Sequence, residues 1–303
     1  MGLMLGATSD TDNSLDKVIN EIKAAEAKGF QDAWMANIFS FDAISTLSMA
    51  GRDTSTIGLG TAVTPTYPRH PTAIAQQALT AGAASGGRFR LGIGLSHKVV
   101  IENMLGFSYD KPARHMREYL SVLAPLLRGE TTSFQGEHYQ VNNVTISVPG
   151  SGQVPVLVAA LGPIMLKLAG ELADGTITWM TGPKTLETHI IPTINGAAES
   201  AGRETPSIVA GFPIVLTNDP DGAKAHIAES LQIYGVLPSY RAMLDREGAA
   251  GPADMAIVGD ERSLRQQLAQ LQDIGITDFC ASITTNDRDS YTRTVEFLGD
   301  SMT

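Results

Sequence analysis

The sequence predicts an α/β protein of the (β/α)8 barrel class, with insertions, on three observations. Eight short apolar runs alternate with amphipathic stretches from one end to the other, a pattern that needs parallel strands joined by helical crossovers. Eight is the number of strands that closes into a barrel, and 303 residues suit that fold. The rival, an open doubly wound sheet, would carry a dinucleotide fingerprint, yet Gly92-Ile93-Gly94 is followed by Leu95, Ser96 and His97 and never by the third glycine.

The first run covers residues 3–7, after which Ser14 caps a helix with Leu15, Val18, Ile19 and Ile22 on one face and Gly29 at its end. Residues 32–36 form the second strand and 42–50 a short helix. The third strand spans 57–63, and Pro71 then sits in the first turn of a helix reaching residue 84. The fourth strand spans 88–94, and its helix, 112–127, buries Met116, Tyr119, Leu120, Leu123 and Leu127. Residues 129–152, rich in Thr, Val, Gly and Asn, break the rhythm. Their two β-like pieces, 131–134 and 139–148, mark a hairpin-like insertion within a single domain covering 1–303. Alternation resumes with strand 156–160, helix 163–172, strand 176–179 and helix 186–201. Strand 207–216 is followed by a helix over 221–234, a segment at 239–248, a short run at 255–258 and a helix over 262–274. Strand 278–283 is the eighth, and a helix over 288–298 ends the pattern.

Composition narrows the function. With 22 basic against 32 acidic side chains the formal charge is −10, which leaves no basic face for nucleic acid. The single cysteine, Cys280, excludes a disulfide framework and every multi-cysteine metal site, and inside a strand it reads as a small buried hydrophobe. No run approaches the ~18 apolar residues of a membrane span. The opening Met1–Gly6 carries no basic leader, and Gly6 stands where a myristoylation signal needs Ser or Thr, so a reducing, cytoplasmic setting is expected.

In such a barrel the working face is the C-terminal end of the strands. The exits read Asn37-Ile38-Phe39, Ala62-Val63-Thr64, Gly94-Leu95-Ser96-His97, Ala159-Ala160-Leu161-Gly162 and Met180-Thr181-Gly182. Small neutral residues dominate, and acid–base pairs are almost absent. That suits a broad planar cofactor held by main-chain amides better than a carboxylate- or metal-driven hydrolase. Any single exit is equally an ordinary tight turn. Asn37 can hydrogen-bond a ligand but cannot act as a general base, and His97, next to Lys98, is the best-placed titratable group. Trp34, Met35, Trp179 and Met180 close strands and read first as barrel filling. His115, between Arg114 and Arg117, reads as structural, pinning the loop 98–111, and His138 and His226 as surface residues.

The run Gly87-Arg-Phe-Arg-Leu-Gly-Ile-Gly94 resembles the fourth strand of the luciferase-like monooxygenase superfamily, barrels that bind flavin or the deazaflavin coenzyme F420. Gly58-Leu-Gly-Thr-Ala-Val-Thr-Pro-Thr66 and His70-Pro-Thr-Ala-Ile-Ala-Gln-Gln77 resemble its third strand and following helix. Lys111-Pro-Ala-Arg-His-Met-Arg-Glu-Tyr119, Val156-Leu-Val-Ala-Ala-Leu-Gly-Pro163 and Ala169-Gly-Glu-Leu-Ala-Asp-Gly175 are similar to an F420-associated branch. The resemblance implies a bulge with a non-prolyl cis bond at Ala62-Val63 backing the cofactor ring. It places Gly94, Leu95, Ser96 and His97 along the ring's edge, and Ala159, Ala160, Leu161 and Gly162 before a helix whose N-terminus holds the phosphate. Thr181 and Gly182 join them at the next exit. Dehydrogenase relatives carry Asp-His where this chain has Asn37-Ile38. The implied reaction is therefore hydride transfer from F420 to an activated C=C or C=N bond of a small organic substrate, not alcohol oxidation. The coenzyme's acidic tail would meet Arg69, Lys98, Lys111, Arg114 and Lys184, and a homodimer is implied. Other readings are an FMN-dependent monooxygenase on the same fold, a non-catalytic cofactor-binding barrel and an unrelated phosphate-binding barrel.

Overall fold

The computed structural model describes residues 1–6 and 14–301, so the predicted end of the first strand, at residue 7, lies outside the described residues. Eight strands form a ring: β1 Gly2–Met4, β2 Asp32–Met35, β3 Gly58–Thr61, β4 Phe89–Gly94, β5 Val156–Val158, β6 Gly175–Trp179, β7 Ser207–Leu216 and β8 Asp278–Ile283. Each pairs in parallel with the next, and β8 returns to β1, so the barrel closes in chain order. Strands covered on both faces carry near-continuous apolar runs, which is why the sequence shows them plainly.

Around the ring lie α1 Leu15–Ala27, α2 Ala43–Asp53, α3 Pro71–Ala84, α4 Pro112–Leu127, α5 Pro163–Leu172, α6 Ile191–Ser200, α7 Pro220–Ser230, α8 Pro238–Glu247, α9 Glu261–Asp273 and α10 Arg288–Asp300. Ser14 caps α1 by accepting from the Lys17 N–H, and Asp42 does the same for α2 through Ser45. The segment at 239–248 is a helix, α8, and the predicted helix 221–234 stops at Ser230. Two short pieces extend the sheet: Thr64–Pro65 beside β4, and Ile257–Gly259 beside the C-terminal end of β7. The third predicted strand is therefore interrupted, and the interruption contains the Ala62-Val63 peptide bond, which is cis. Residues 129–152 hold an antiparallel pair, Thr132–Gln135 with Gln140–Val144, separate from the barrel sheet. Among the described residues no helix is long and apolar enough to cross a membrane.

The barrel interior is filled by Trp34, Leu157, Ile177, Val209 and Cys280, all buried. Trp34 fits because Gly60 faces it; a Cβ there would collide with the indole ring. Below it, Arg90 plugs the N-terminal end, 2.6 Å from Asp32 and 3.1 Å from Asp278, with its guanidinium 4.5 Å from the Trp34 ring centre. The bottom of the barrel is closed by this cluster, so any ligand must enter from the other end.

Candidate functional site

The C-terminal mouth is built on a shallow floor. Ala62, Val63 and Ala159 are half-buried there, and Gly94 lies between them. A Cβ on Gly94 would come within 2.7 Å of Val63 Cγ2 and 3.2 Å of the Ala159 Cβ. Main-chain bonds tie the exits together: Ala62 N–H donates to the Met35 carbonyl (2.8 Å), Asn37 N–H to Val63 (3.4 Å), Ala159 N–H to Ile93 (2.8 Å) and Thr66 N–H to Gly94 (2.9 Å). Thr61 Oγ1 both accepts from Gly92 N–H (2.9 Å) and donates to its carbonyl (2.7 Å). The result is a flat, nearly side-chain-free surface at exits two to five, with the buried Thr64 hydroxyl left without a partner among the described residues. A planar ring fits such a surface.

Exits five and six end in helix starts of opposite character. At exit five, Gly162 is the N-cap of α5, supplies no side-chain cap and has open space where a Cβ would point. Pro163 has no N–H, and the N–H groups of Gly162, Ile164 and Met165 have no acceptor among the described residues. Free amides at the positive end of a helix suit an anion. At exit six the same position is taken. The Glu247 carboxylate, reaching over from α8, accepts from Lys184 N–H (3.2 Å), Thr185 N–H (2.8 Å) and the Thr185 hydroxyl (2.7 Å). A Cβ on Gly182 would run into that carboxylate, and Thr181 is fully buried. Thr181 and Gly182 are therefore covered by protein, unlike Gly162.

Above the floor an aromatic group leans in. Tyr234 and Tyr240 meet edge to face at 4.8 Å, with His97 6.4 and 6.0 Å from them and Trp179 6.4 Å from Tyr234. Burial lowers the His97 pKa below its ordinary 6.5, which favours the neutral ring. Leu95 and Ser96 border this group; Ser96 takes a left-handed backbone (φ 59°) and its carbonyl accepts from the Tyr109 hydroxyl at 3.2 Å. The rim is apolar, with Ile38, Phe39, Val99, Ile164, Ile233 and Val236 each more than half exposed.

His115 lies behind the floor. It is buried, stacks on Tyr67 at 4.0 Å and meets the Thr66 hydroxyl at 2.9 Å, so it braces Thr66 and, through Thr66 N–H, the Gly94 carbonyl. Its ring reaches the loop 98–111 through Tyr67 stacked on Tyr109, and its backbone N–H donates to the Lys111 carbonyl (3.0 Å). Asn37 spends its side-chain oxygen on the Ala43 N–H at the start of α2 (3.0 Å), and its amide nitrogen has no acceptor among the described residues. Of the basic residues expected to meet an acidic tail, Arg69 pairs with Asp42, Lys98 with Glu102, and Lys111 and Arg114 both with Glu137. Among the described residues, Lys184 meets an acid only through its backbone N–H, which donates to Glu247 (3.2 Å). No group of three or more His, Cys, Asp or Glu among the described residues could hold a metal ion.

The structure thus gathers Ala62, Val63, Gly94 and Ala159 into one floor, sets Leu95, Ser96 and His97 beside it, and leads through Ala160 and Leu161 to Gly162. Sequence reasoning missed Tyr234, Tyr240, Glu247 and His189, whose Nε2–H bonds the Leu161 carbonyl at 2.9 Å. All four sit on elements remote in sequence from the floor, and no local pattern marks them.

The model of the luciferase-like monooxygenase family matches residues 2–278. The chain is 30% identical over 245 residues to the 5,10-methylenetetrahydromethanopterin reductase of Methanolobus tindarius, covering 80% of this chain and 74% of that one. It is 32% identical over 241 residues to the protein of the same name from Archaeoglobus fulgidus, covering 78% and 71%. The solved structure of the coenzyme F420 dependent tetrahydromethanopterin reductase from Methanopyrus kandleri superposes with a TM-score of 0.81 at 26% identity, over 98% of this chain and 96% of that one. With a closed eight-stranded barrel and a family match over most of its length, the chain belongs to the luciferase-like monooxygenase family.

Proposed function

We propose that this protein is an F420-dependent oxidoreductase that reduces an activated C=C or C=N bond in a small, uncharged organic substrate. The reading rests above all on one observation: a side-chain-free floor lies beside a helix N-terminus whose amides are unspent. The names of the relatives, F420-dependent and reductase, point the same way. Ala62, Val63, Gly94 and Ala159 would back the ring, Leu95 and Ser96 would border it, and the N–H groups of Gly162, Ile164 and Met165 would hold the phosphate. The bound deazaflavin supplies the hydride. Asn37 can steady a substrate carbonyl or imine through its free amide N–H. Neutral His97 carries one ring N–H, which can donate a hydrogen bond to the atom that gains charge, while the proton itself comes from water. Tyr234, Tyr240 and Trp179 shield the hydride transfer from bulk solvent, and the apolar rim favours an uncharged acceptor. Exit two offers no carboxylate or imidazole to remove a proton from an alcohol. A cytoplasmic homodimer, as the family resemblance implies, completes the proposal.

Titrating the purified protein with F420 and with FMN in parallel tests the cofactor, and turnover of reduced F420 with enones and imines tests the reaction. F420 binding with reduction of at least one such acceptor, and no oxidation of secondary alcohols, is the expected result. Tight FMN binding with no affinity for F420 overturns the reading.

A further inference from the structure

We infer that His189 is a positioning residue for the coenzyme's phosphate, a role that rests on the F420 reading above. His189 lies in the segment Leu186–Ile190 after exit six and is buried, 7% exposed. Its Nε2 stands 2.9 Å from the Leu161 carbonyl. A carbonyl only accepts, so Nε2 carries the proton and donates.

The consequence follows from peptide geometry. Among the described residues the one cis bond is Ala62-Val63, so the Leu161-Gly162 unit is trans and planar, with its C=O and N–H pointing in opposite directions. Drawing the Leu161 carbonyl inward to His189 turns the Gly162 N–H outward. The surroundings of Gly162 are open: a Cβ built on it would meet no atom within 4 Å. Gly162 has no side chain to fix its own peptide plane, so the orientation depends on a partner elsewhere in the fold. His189 provides it from the neighbouring exit, and it touches no ligand itself. The adjacent helix start at exit six shows the alternative, its amides already filled by Glu247.

The test compares two ligands on intact protein: F420, and its phosphate-free ring-and-ribityl fragment. His189→Leu should weaken F420 binding about tenfold, the effect of losing one aligned charge-assisted donor, and leave the fragment's dissociation constant unchanged. His189→Gln, whose amide nitrogen reaches to the place of Nε2, should restore F420 affinity. His189→Asn, too short to reach Leu161, should behave as the leucine variant and stands in for it should His189→Leu fail to fold. Equal losses for both ligands, or unchanged F420 binding in the leucine and asparagine variants, overturn the inference while leaving the functional reading in place. Wild-type protein that binds the fragment as tightly as F420 overturns it too, because then the phosphate is not held. Wild-type protein that binds neither ligand overturns the F420 reading and this inference together.

Discussion

Replacing Gly162 by Asp should push stability and coenzyme affinity in opposite directions. Gly162 has φ −80° and ψ 154°, the extended backbone of an ordinary N-cap, and nothing obstructs a new side chain. An aspartate there can accept from the Met165 N–H and sits at the positive end of α5. It should raise stability by a few tenths to about 1 kcal/mol over glycine. The same carboxylate occupies the place proposed for the phosphate. Two unit charges about 5 Å apart at an effective dielectric of about 20 repel by about 3 kcal/mol, or roughly a hundredfold in dissociation constant. Salt should shrink the effect, because the helix start is exposed. The assay is a fluorescence titration with F420 at low and at physiological ionic strength, paired with thermal melts, and Gly162→Ala as the control that adds a Cβ without charge. A melting temperature that holds or rises with an unchanged dissociation constant would refute the phosphate site.

Two further predictions concern the frame that holds the site. His115 keeps its ring neutral down to about pH 4 through burial, reinforced by His138, whereas an unfolded histidine takes up its proton near 6.5. Between those values the unfolded chain binds more protons, so stability should fall as pH drops from 6.5 to 4, by about 3 kcal/mol in all, with His97 adding in the same direction. Urea melts from pH 8 to 4 should show a flatter profile for His115→Gln, and parallel profiles would count against the account. Arg90→Met should cost about 3 kcal/mol, because Asp32 and Asp278 then face each other in the barrel without their shared cation. Adding Asp278→Asn should recover part of that loss, and a single variant within 1 kcal/mol of wild type by urea melts would contradict the estimate.

The barrel was legible because its strands are buried on both faces and its helices on one, two periodicities that leave separate marks in the sequence. What escaped was local structure fixed by distant partners. Helix α8 buries only Met243 and Leu244, too little to show as an apolar face, and is fastened by Glu247 to the start of the segment after exit six. The third strand reads as one run from 57 to 63, and its residue types do not signal that the chain leaves the ladder after Thr61 and rejoins it at Thr64; the bulge and cis bond at Ala62-Val63 were expected only from the family resemblance.

The floor of the site was legible for a related reason. Where a backbone must be approached closely, only glycine and alanine fit, so Gly94 and Ala159 betray the contact by their size. Electrostatics left no such trace. Gly162-Pro163 and Gly182-Pro183 are the same helix start in sequence: an extended glycine without a cap, then a proline with no amide to spare. The first stays open, with its peptide plane set by His189, 27 residues beyond Gly162; the second is filled by the carboxylate of Glu247, 65 residues beyond Gly182. A helix start becomes an anion site only when nothing else in the fold has already answered its amides. That makes Glu247 as decisive as His189, one closing exit six and the other aiming exit five.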